Sequence, residues 1–313
     1  MIPFFSPLVG PDPYTDEWYS IRYYDPDNSL RPVVFGASEA AAVCGVSPYQ
    51  TPLHVYSLKR RLVEPEGDNE DKLYGRVIEP AINELYRRRT GRTTKAPCPM
   101  YFHPKYNWIA ATPDAIALDS LGGWLFPIDC KSVSWQRFRS EFGDEDTDEV
   151  PVDYIMQAHQ QMLVTGCERQ EMAVLVDRRL KIYPIERNED LCNSIIECSK
   201  ELRERIIDGH PPEPNFQHAD TLHLLKKTYP VTGNEIDLSK EIELLWRERQ
   251  DLSSQKRDIE KRVDEINARV LSVMKDASVG YLPGGDMVIR SVVKKKAFTV
   301  EATEYTQLKG KKR

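Results

Sequence analysis

Apolar residues recur along this chain at two spacings, and the switches between them mark out its elements. From about Lys72 to Thr90, Leu73, Val77, Ile78, Ile82, Leu85 and Tyr86 fall at the three-and-four spacing of an amphipathic helix, closed by Gly91. Thr51-Pro52 supplies an N-cap and a first-turn proline for a helix reaching about Leu62. Ala40 to Cys44 predicts a short small-residue helix stopped by Gly45, and 135–142 another helix. Pro151-Val152-Asp153 opens a helix packed through Ile155, Met162 and Leu163, and 189–208 forms one more, ended by Gly209. Shorter apolar runs predict strands at 98–103 and 107–112, turning near Pro104, and at 172–176 and 180–185. Residues 1–32, rich in Pro, Asp and Tyr, read as an arm with a short helix anchored by Trp18, Ile21 and Tyr24, and the acidic 143–149 stretch as a mobile loop. The order predicts an α/β core in which helices pack against a mixed central sheet.

Beyond 210 the pattern changes. Pro211 to Gly233 contains prolines and histidines and reads as a linker. Then Leu238, Ile242, Leu245, Leu252, Ile259, Val263, Ile266, Val270 and Val273 fall at alternating three and four spacings, interrupted at Arg249 and Lys256. This predicts a long helix or helical hairpin with a coiled-coil stripe. Glycines at 280, 284 and 285 bound short strands, and Met287–Val293 with Phe298–Val300 suggests a hairpin. The domains are accordingly 1–210, a linker 211–234, and an extension 235–313.

The candidate chemistry sits between Thr112 and Lys131. If Trp124 to Lys131 is a strand, Trp124, Phe126, Ile128 and Cys130 point to one face and Asp129 and Lys131 to the other. Gly122 and Gly123 allow a hairpin that brings Asp114 beside Asp129. Two carboxylates in one patch call for compensation, and the usual form is a divalent cation such as Mg²⁺ or Mn²⁺ on oxygen ligands. Such an ion activates water for phosphodiester hydrolysis, with Lys131 orienting or deprotonating the water or neutralising phosphate charge. The alternative is that Asp114 is a turn residue and Asp129 and Lys131 an exposed ion pair. Glu79, on the flank of its helix, pairs with Arg76 or Asn83 or adds a third carboxylate. Tyr154, Gln157 and Gln161 share one helix face and can hold water, a carboxylate or a phosphate; His159 lies off that face and reads as structural. Ser38 is a helix cap or an anion-holding group.

Composition narrows the classes. The net charge of −6 over 313 residues argues against non-specific coating of nucleic acid. Local basic runs remain at 59–61, 87–89, 294–296 and 309–313. Six cysteines without a Cys-x-x-Cys pair read as reduced thiols rather than cluster ligands. No apolar run reaches the roughly 18 residues of a membrane span, and Met-Ile-Pro-Phe-Phe-Ser-Pro lacks the regions of a signal peptide.

In order along the chain stand Trp18 with Arg22, Gly36-Ala37-Ser38-Glu39-Ala40-Ala41 with Gly45-Val46-Ser47-Pro48-Tyr49, and Tyr74-Gly75-Arg76-Val77-Ile78-Glu79-Pro80. Ala111-Thr112-Pro113-Asp114, Ile128-Asp129-Cys130-Lys131 and Pro151-Val152-Asp153-Tyr154-Ile155-Met156-Gln157 follow. Together these motifs resemble the YqaJ-like viral recombinases, relatives of phage lambda exonuclease in the PD-(D/E)XK nuclease superfamily, over roughly 18–208. The resemblance implies a restriction-endonuclease-like core and a Mg²⁺-dependent 5′–3′ exonuclease, with two ions per site. The substrate would be linear duplex DNA, left with 3′ overhangs for a phage single-strand annealing protein. It also implies a toroidal trimer or similar homo-oligomer, a phage- or prophage-encoded origin and a place in the bacterial cytoplasm.

By motif, the resemblance makes Asp114, Asp129 and the backbone carbonyl of Cys130 metal ligands, with Glu79 acting at the same ions. Lys131 and Gln157 complete the catalytic group, and Arg22, Ser38, Tyr154 and Gln161 become the 5′-phosphate and DNA contacts. Asp129 departs from the family's usual glutamate, and Thr112 from its frequent serine. A Cas4- or RecB-like nuclease and a non-catalytic DNA-end-binding scaffold are the alternatives.

Overall fold

The computed structural model describes residues 7–23, 33–65, 67, 69–294 and 308. Tyr24, the strand expected at 298–300 and the basic tail 309–313 lie outside the described residues. The helices are α1 (Asp16–Ser20), α2 (Ala40–Val43), α3 (Pro52–Lys59), α4 (Glu70–Thr90), α5 (Trp135–Glu141), α6 (Val152–Thr165), α7 (Glu189–Asp208), α8 (Ala219–Thr228) and α9 (Lys240–Met274). The strands are β1 (Leu8–Val9), β2 (Thr93–Lys95), β3 (Tyr101–Phe102), β4 (Ala110–Ala111), β5 (Ala115–Leu118), β6 (Trp124–Val133), β7 (Arg169–Val176), β8 (Arg179–Glu186), β9 (Val279–Tyr281) and β10 (Met287–Ile289). The chain divides into two compact units, Met1–Pro230 and Val231–Arg313.

The first unit is built on a five-stranded sheet in the order β2-β5-β6-β7-β8. Its neighbours are antiparallel except β6 and β7, which run parallel, so the sheet is mixed as expected. A parallel pair needs a crossover long enough to return the chain to the starting edge, and α5 with α6 provides it. On one face Ile82 and Tyr86 of α4 pack with Ala115, Ala117, Phe126, Ile128 and Cys130. On the other, Ala158 and Met162 of α6 pack with Met172, Val174 and Tyr183. A second, small sheet joins β1, β3 and β4.

Several expectations change. Trp124 does not share a face with Phe126, Ile128 and Cys130. The register with β5 shifts between Ala117 and Leu118, so Leu125 is an extra residue and Trp124 turns to the face of Leu118 and Tyr101. On α4 the buried stripe is shorter than its periodicity implies. Leu73 and Val77 stay exposed because only the Ile78–Tyr86 part of the helix meets the sheet, and within that part Leu85 is exposed and absent from the cluster on the sheet. The strands expected at 98–103 and 107–112 shrink to β3 and β4, outside the main sheet, while β2 forms its edge. The 143–149 loop is held: Glu145 accepts from the Ile182 backbone N–H at 3.2 Å and pairs with Arg89.

The stretch expected as a linker contains α8, whose Thr221 and Leu224 are buried; Leu224 packs with Leu202 and Ile206 of α7. The described part of the N-terminal arm carries regular elements too. β1 pairs with β3, and the Trp18 indole N–H donates to Thr112 Oγ1 at 3.1 Å. In the second unit α9 is a single continuous helix with no buried residue, and β10 pairs with β9.

If α8 belongs to the first unit's core, Leu224→Ala should destabilise that unit by about 2–5 kcal/mol, the usual cost of emptying a buried leucine site. Denaturant unfolding followed by tryptophan fluorescence measures it; an unchanged midpoint would return 211–234 to the role of linker.

Candidate active site

The pleat of β6 sends Asp129 and Lys131 toward α6, opposite Ile128 and Cys130. Asp129 has no solvent exposure. A buried carboxylate is costly unless its oxygens find donors, and α6 supplies them. Gln157 and Gln161 stand one turn apart on one helix face, and their Nε2 groups donate to Asp129 Oδ1 at 2.9 and 3.0 Å. Oδ2 lies 2.6 Å from the Lys131 ammonium. The alternative of an exposed ion pair on an edge strand is therefore excluded: β6 is central, and the aspartate is enclosed.

Asp114 arrives from β5. Ala115 is paired with Ile128, so one residue earlier Asp114 stands level with Asp129. Its Oδ2 accepts the Cys130 backbone N–H at 2.6 Å. In an extended strand the N–H and C=O of one residue point to the same side, which directs the Cys130 carbonyl toward Asp114 as well. The Cys130 thiol lies on the apolar face with Ile82 and Tyr86. Burial, and then the Asp129 charge, push the Asp114 carboxyl well above the ordinary carboxylate range despite the nearby Lys131. Glu79 approaches from α4, and its carboxyl is raised first by burial and then by Asp129. Asp129 thus opposes the ionisation of both Asp114 and Glu79 beside one lysine. Burial alone would lower the Lys131 pKa, but Asp129 and Asp114 outweigh it and raise it. Lys131 is held as a cation, which suits charge neutralisation and donation better than removal of a proton from water.

A cleft of about 220 Å³ connects this site to the N-terminal segment, and its lining includes Asp114, Glu79, Gln157, Tyr14, Arg22 and Ser38. Ser38 is exposed there. Arg22 stacks its guanidinium over the Trp18 ring at 4.8 Å and pairs with Glu39 at 3.2 Å. Two of the expected phosphate contacts are thereby brought to one wall. Tyr154 covers the Lys131 ammonium with its ring at 5.2 Å, and its hydroxyl accepts from Arg137 at 3.0 Å. Gln161 is a correction. It is fully buried beneath Asp129, so it positions that carboxylate and cannot reach DNA. His159 is structural, its Nδ1 bonded to the Ile155 carbonyl at 2.7 Å.

Three residues of this region escaped the periodic reading. Glu39 joins Arg22 to the buried Lys59 ammonium at 2.9 Å and accepts the Gly36 N–H at 2.8 Å. Its signal was present as a glutamate three residues after Gly36, the spacing of a capping box. Arg137 pairs with Glu141 and faces a second cleft beside Lys131 and Ser132. Tyr14 lines both clefts, and burial followed by the charges of Glu79 and Asp114 pushes its hydroxyl up to about 12.

The donor set is all carboxylate and carbonyl oxygen, the chemistry that hard cations such as Mg²⁺ and Mn²⁺ prefer. Asp129 Oδ2 is enclosed and makes no hydrogen bond beyond its ionic contact with Lys131. Among the described residues the acids are not gathered into a ready coordination shell, and the Lys131 ammonium supplies the positive charge between them.

Residues 28–168 match the YqaJ-like viral recombinase domain. The protein YqaJ of Bacillus subtilis (strain 168) is 25% identical over 254 residues, which are 79% of this chain and 77% of that protein. The alkaline exonuclease LHK-Exo from Laribacter hongkongensis is similar at a TM-score of 0.47 and 19% identity, over 63% of this chain and 94% of that one. A phage-related exonuclease from Haemophilus somnus 129PT is similar at 0.44 and 12% identity, over 58% and 99%.

The Glu39 network sets a pH dependence. Burial alone would raise the Glu39 carboxyl, but Lys59 and then Arg22 hold it down at about 2, below its ordinary 4.5. A depressed acid stabilises the fold fully above the ordinary value and loses that contribution as pH falls toward the folded value. Wild type should therefore lose stability between about pH 4.5 and pH 2 more steeply than Glu39→Gln. Urea midpoints across that range check it; parallel slopes would remove Glu39 from the account.

Proposed function

From the YqaJ-like viral recombinase domain carried by residues 28–168, we propose that this protein is a metal-dependent deoxyribonuclease acting on the ends of linear double-stranded DNA. The observation that carries the reading is the enclosed Asp129, clamped by Gln157, Gln161 and Lys131 and level with Asp114. Nothing in packing requires a charged residue at the centre of the sheet. A site that must present anionic oxygen to a cation does require one.

Asp114, Asp129, Glu79 and the Cys130 carbonyl would hold Mg²⁺, for which Mn²⁺ can substitute, with two ions per site. When bound, these ions would lower the pKa of a water and offset charge on the scissile phosphate. Gln157 and Gln161 keep Asp129 in a single orientation by occupying Oδ1. Lys131, a firm cation anchored between Asp129 and the Gln157 Oε1 at 3.3 Å, donates to a phosphate oxygen. Arg22 and Ser38, at the other wall of the cleft, receive the terminal 5′-phosphate, and Tyr154 lines the approach. Hydrolysis then proceeds 5′ to 3′ and leaves 3′ single strands for an annealing protein of phage recombination. The full enzyme is a toroidal homo-oligomer working in the bacterial cytoplasm. Among the described residues no helix is long and apolar enough to cross a membrane.

Purified protein with Mg²⁺ should degrade linear duplex, prefer 5′-phosphorylated ends and spare closed circles. Asp114→Asn, Asp129→Asn and Lys131→Ala should each lower the rate by at least about 100-fold, the scale of losing one charge-stabilising group, with unchanged circular dichroism. Equal digestion of circles would indicate an endonuclease, and a wild-type rate in Lys131→Ala would remove the lysine from the chemistry.

A further inference from the structure

The second unit carries an apolar stripe along the full length of α9. Its 35 residues make a rod of about 52 Å at 1.5 Å per residue. Ile242, Leu245, Leu252, Ile259, Val263 and Ile266 are each between 42% and 64% exposed, and no α9 residue is buried. They follow a strict heptad in which Ile242, Arg249, Lys256, Val263 and Val270 occupy the first core position and Leu245, Leu252, Ile259, Ile266 and Val273 the second. A seam this long and regular calls for another helix.

The charges beside the seam say which helix and in which direction. The flanking position just before each first core residue holds Glu241, Glu248, Gln255, Arg262 and Arg269 in turn. This row is acidic at one end, neutral in the middle and basic at the other. In an antiparallel pair such positions face one another. Two copies of α9 centred on Gln255 therefore set Glu241 against Arg269 and Glu248 against Arg262, twice over by symmetry. The same register packs Ile242 against Ile266 and Leu245 against Val263, and it places Arg249 opposite Ile259 and Lys256 opposite Leu252.

A parallel pair in register does the reverse. It stacks Arg249 on Arg249 and Lys256 on Lys256 inside the seam, and it matches the Glu and Arg row with Trp246, Ser253, Glu260, Asn267 and Met274, where no opposite charge waits. We infer that α9 is a self-association surface that pairs antiparallel with α9 of a second copy of this chain, in the register centred on Gln255.

The alternative partners of the arginines are weak. Arg262 and Arg269 both reach Glu265 within the helix at 2.6 Å, with side chains 60% and 73% exposed. Pairs this exposed contribute little and exchange readily. Arg249 already lays its guanidinium over Trp246 at 4.6 Å, which shows how a charged core position can lift its head group out of the seam while its stem stays in it.

The test uses the full chain and sedimentation equilibrium, with two charge-inverted variants: Glu241→Arg with Glu248→Arg, and Arg262→Glu with Arg269→Glu. All four positions are exposed, and circular dichroism verifies that each variant keeps its helix. Wild type should show twice the mass of either variant alone, since each variant faces like charge with like. An equimolar mixture of the two should recover the doubled mass, because every facing pair is then Arg with Glu. Equal masses for wild type and both variants would overturn the inference. So would a mixture that stays at the variants' mass, since only the antiparallel register predicts rescue.

Discussion

The structure depends on compensating one buried negative charge. Asp129 has no exposure and sits on the central strand of the sheet, where an uncompensated carboxylate would cost several kcal/mol. Both glutamine donors come from the crossover helix between β6 and β7, and the ammonium comes two residues along the same strand. The parallel β6–β7 pair is what places α6 on this face. The fold's topology and the candidate chemistry therefore share a cause, because the crossover that makes the sheet mixed also delivers the groups that make Asp129 tolerable.

The N-terminal segment follows from the same electrostatics. Tyr14, Trp18 and Arg22 close over the acidic site, and Trp18 is tied to Thr112, two residues before Asp114. Arg22 is held in turn by Glu39, which also neutralises the buried Lys59. Arg22 thus faces Asp114 and Glu79 across one cleft, as a site for metal at one wall and phosphate at the other would require.

Much of this was legible in the sequence, for identifiable reasons. Strand alternation separates Asp129 and Lys131 from Ile128 and Cys130, and helical spacing puts Gln157 and Gln161 on one face, because both rules are local geometry. What local geometry cannot supply is depth. Gln161 reads like Gln157 in the sequence, yet it lies one turn further into the core and only braces Asp129. The Trp124 flip was hidden because a bulge is set by pairing with β5 rather than by β6 itself. The helix α8 was obscured by the prolines and histidines around it, and the shortened face of α4 depends on where the sheet ends. Glu39 was passed over because its partners, Arg22 and Lys59, come from distant segments.

The central claim is that the enclosed acids exist to hold a divalent cation, and calorimetric titration of Mn²⁺ into the wild-type protein and Asp129→Asn tests it most directly. The account predicts saturable binding by wild type that Asp129→Asn abolishes, with Gln161→Leu weakening it by disturbing the same carboxylate. Equal binding by wild type and Asp129→Asn, or no binding by either, would contradict it.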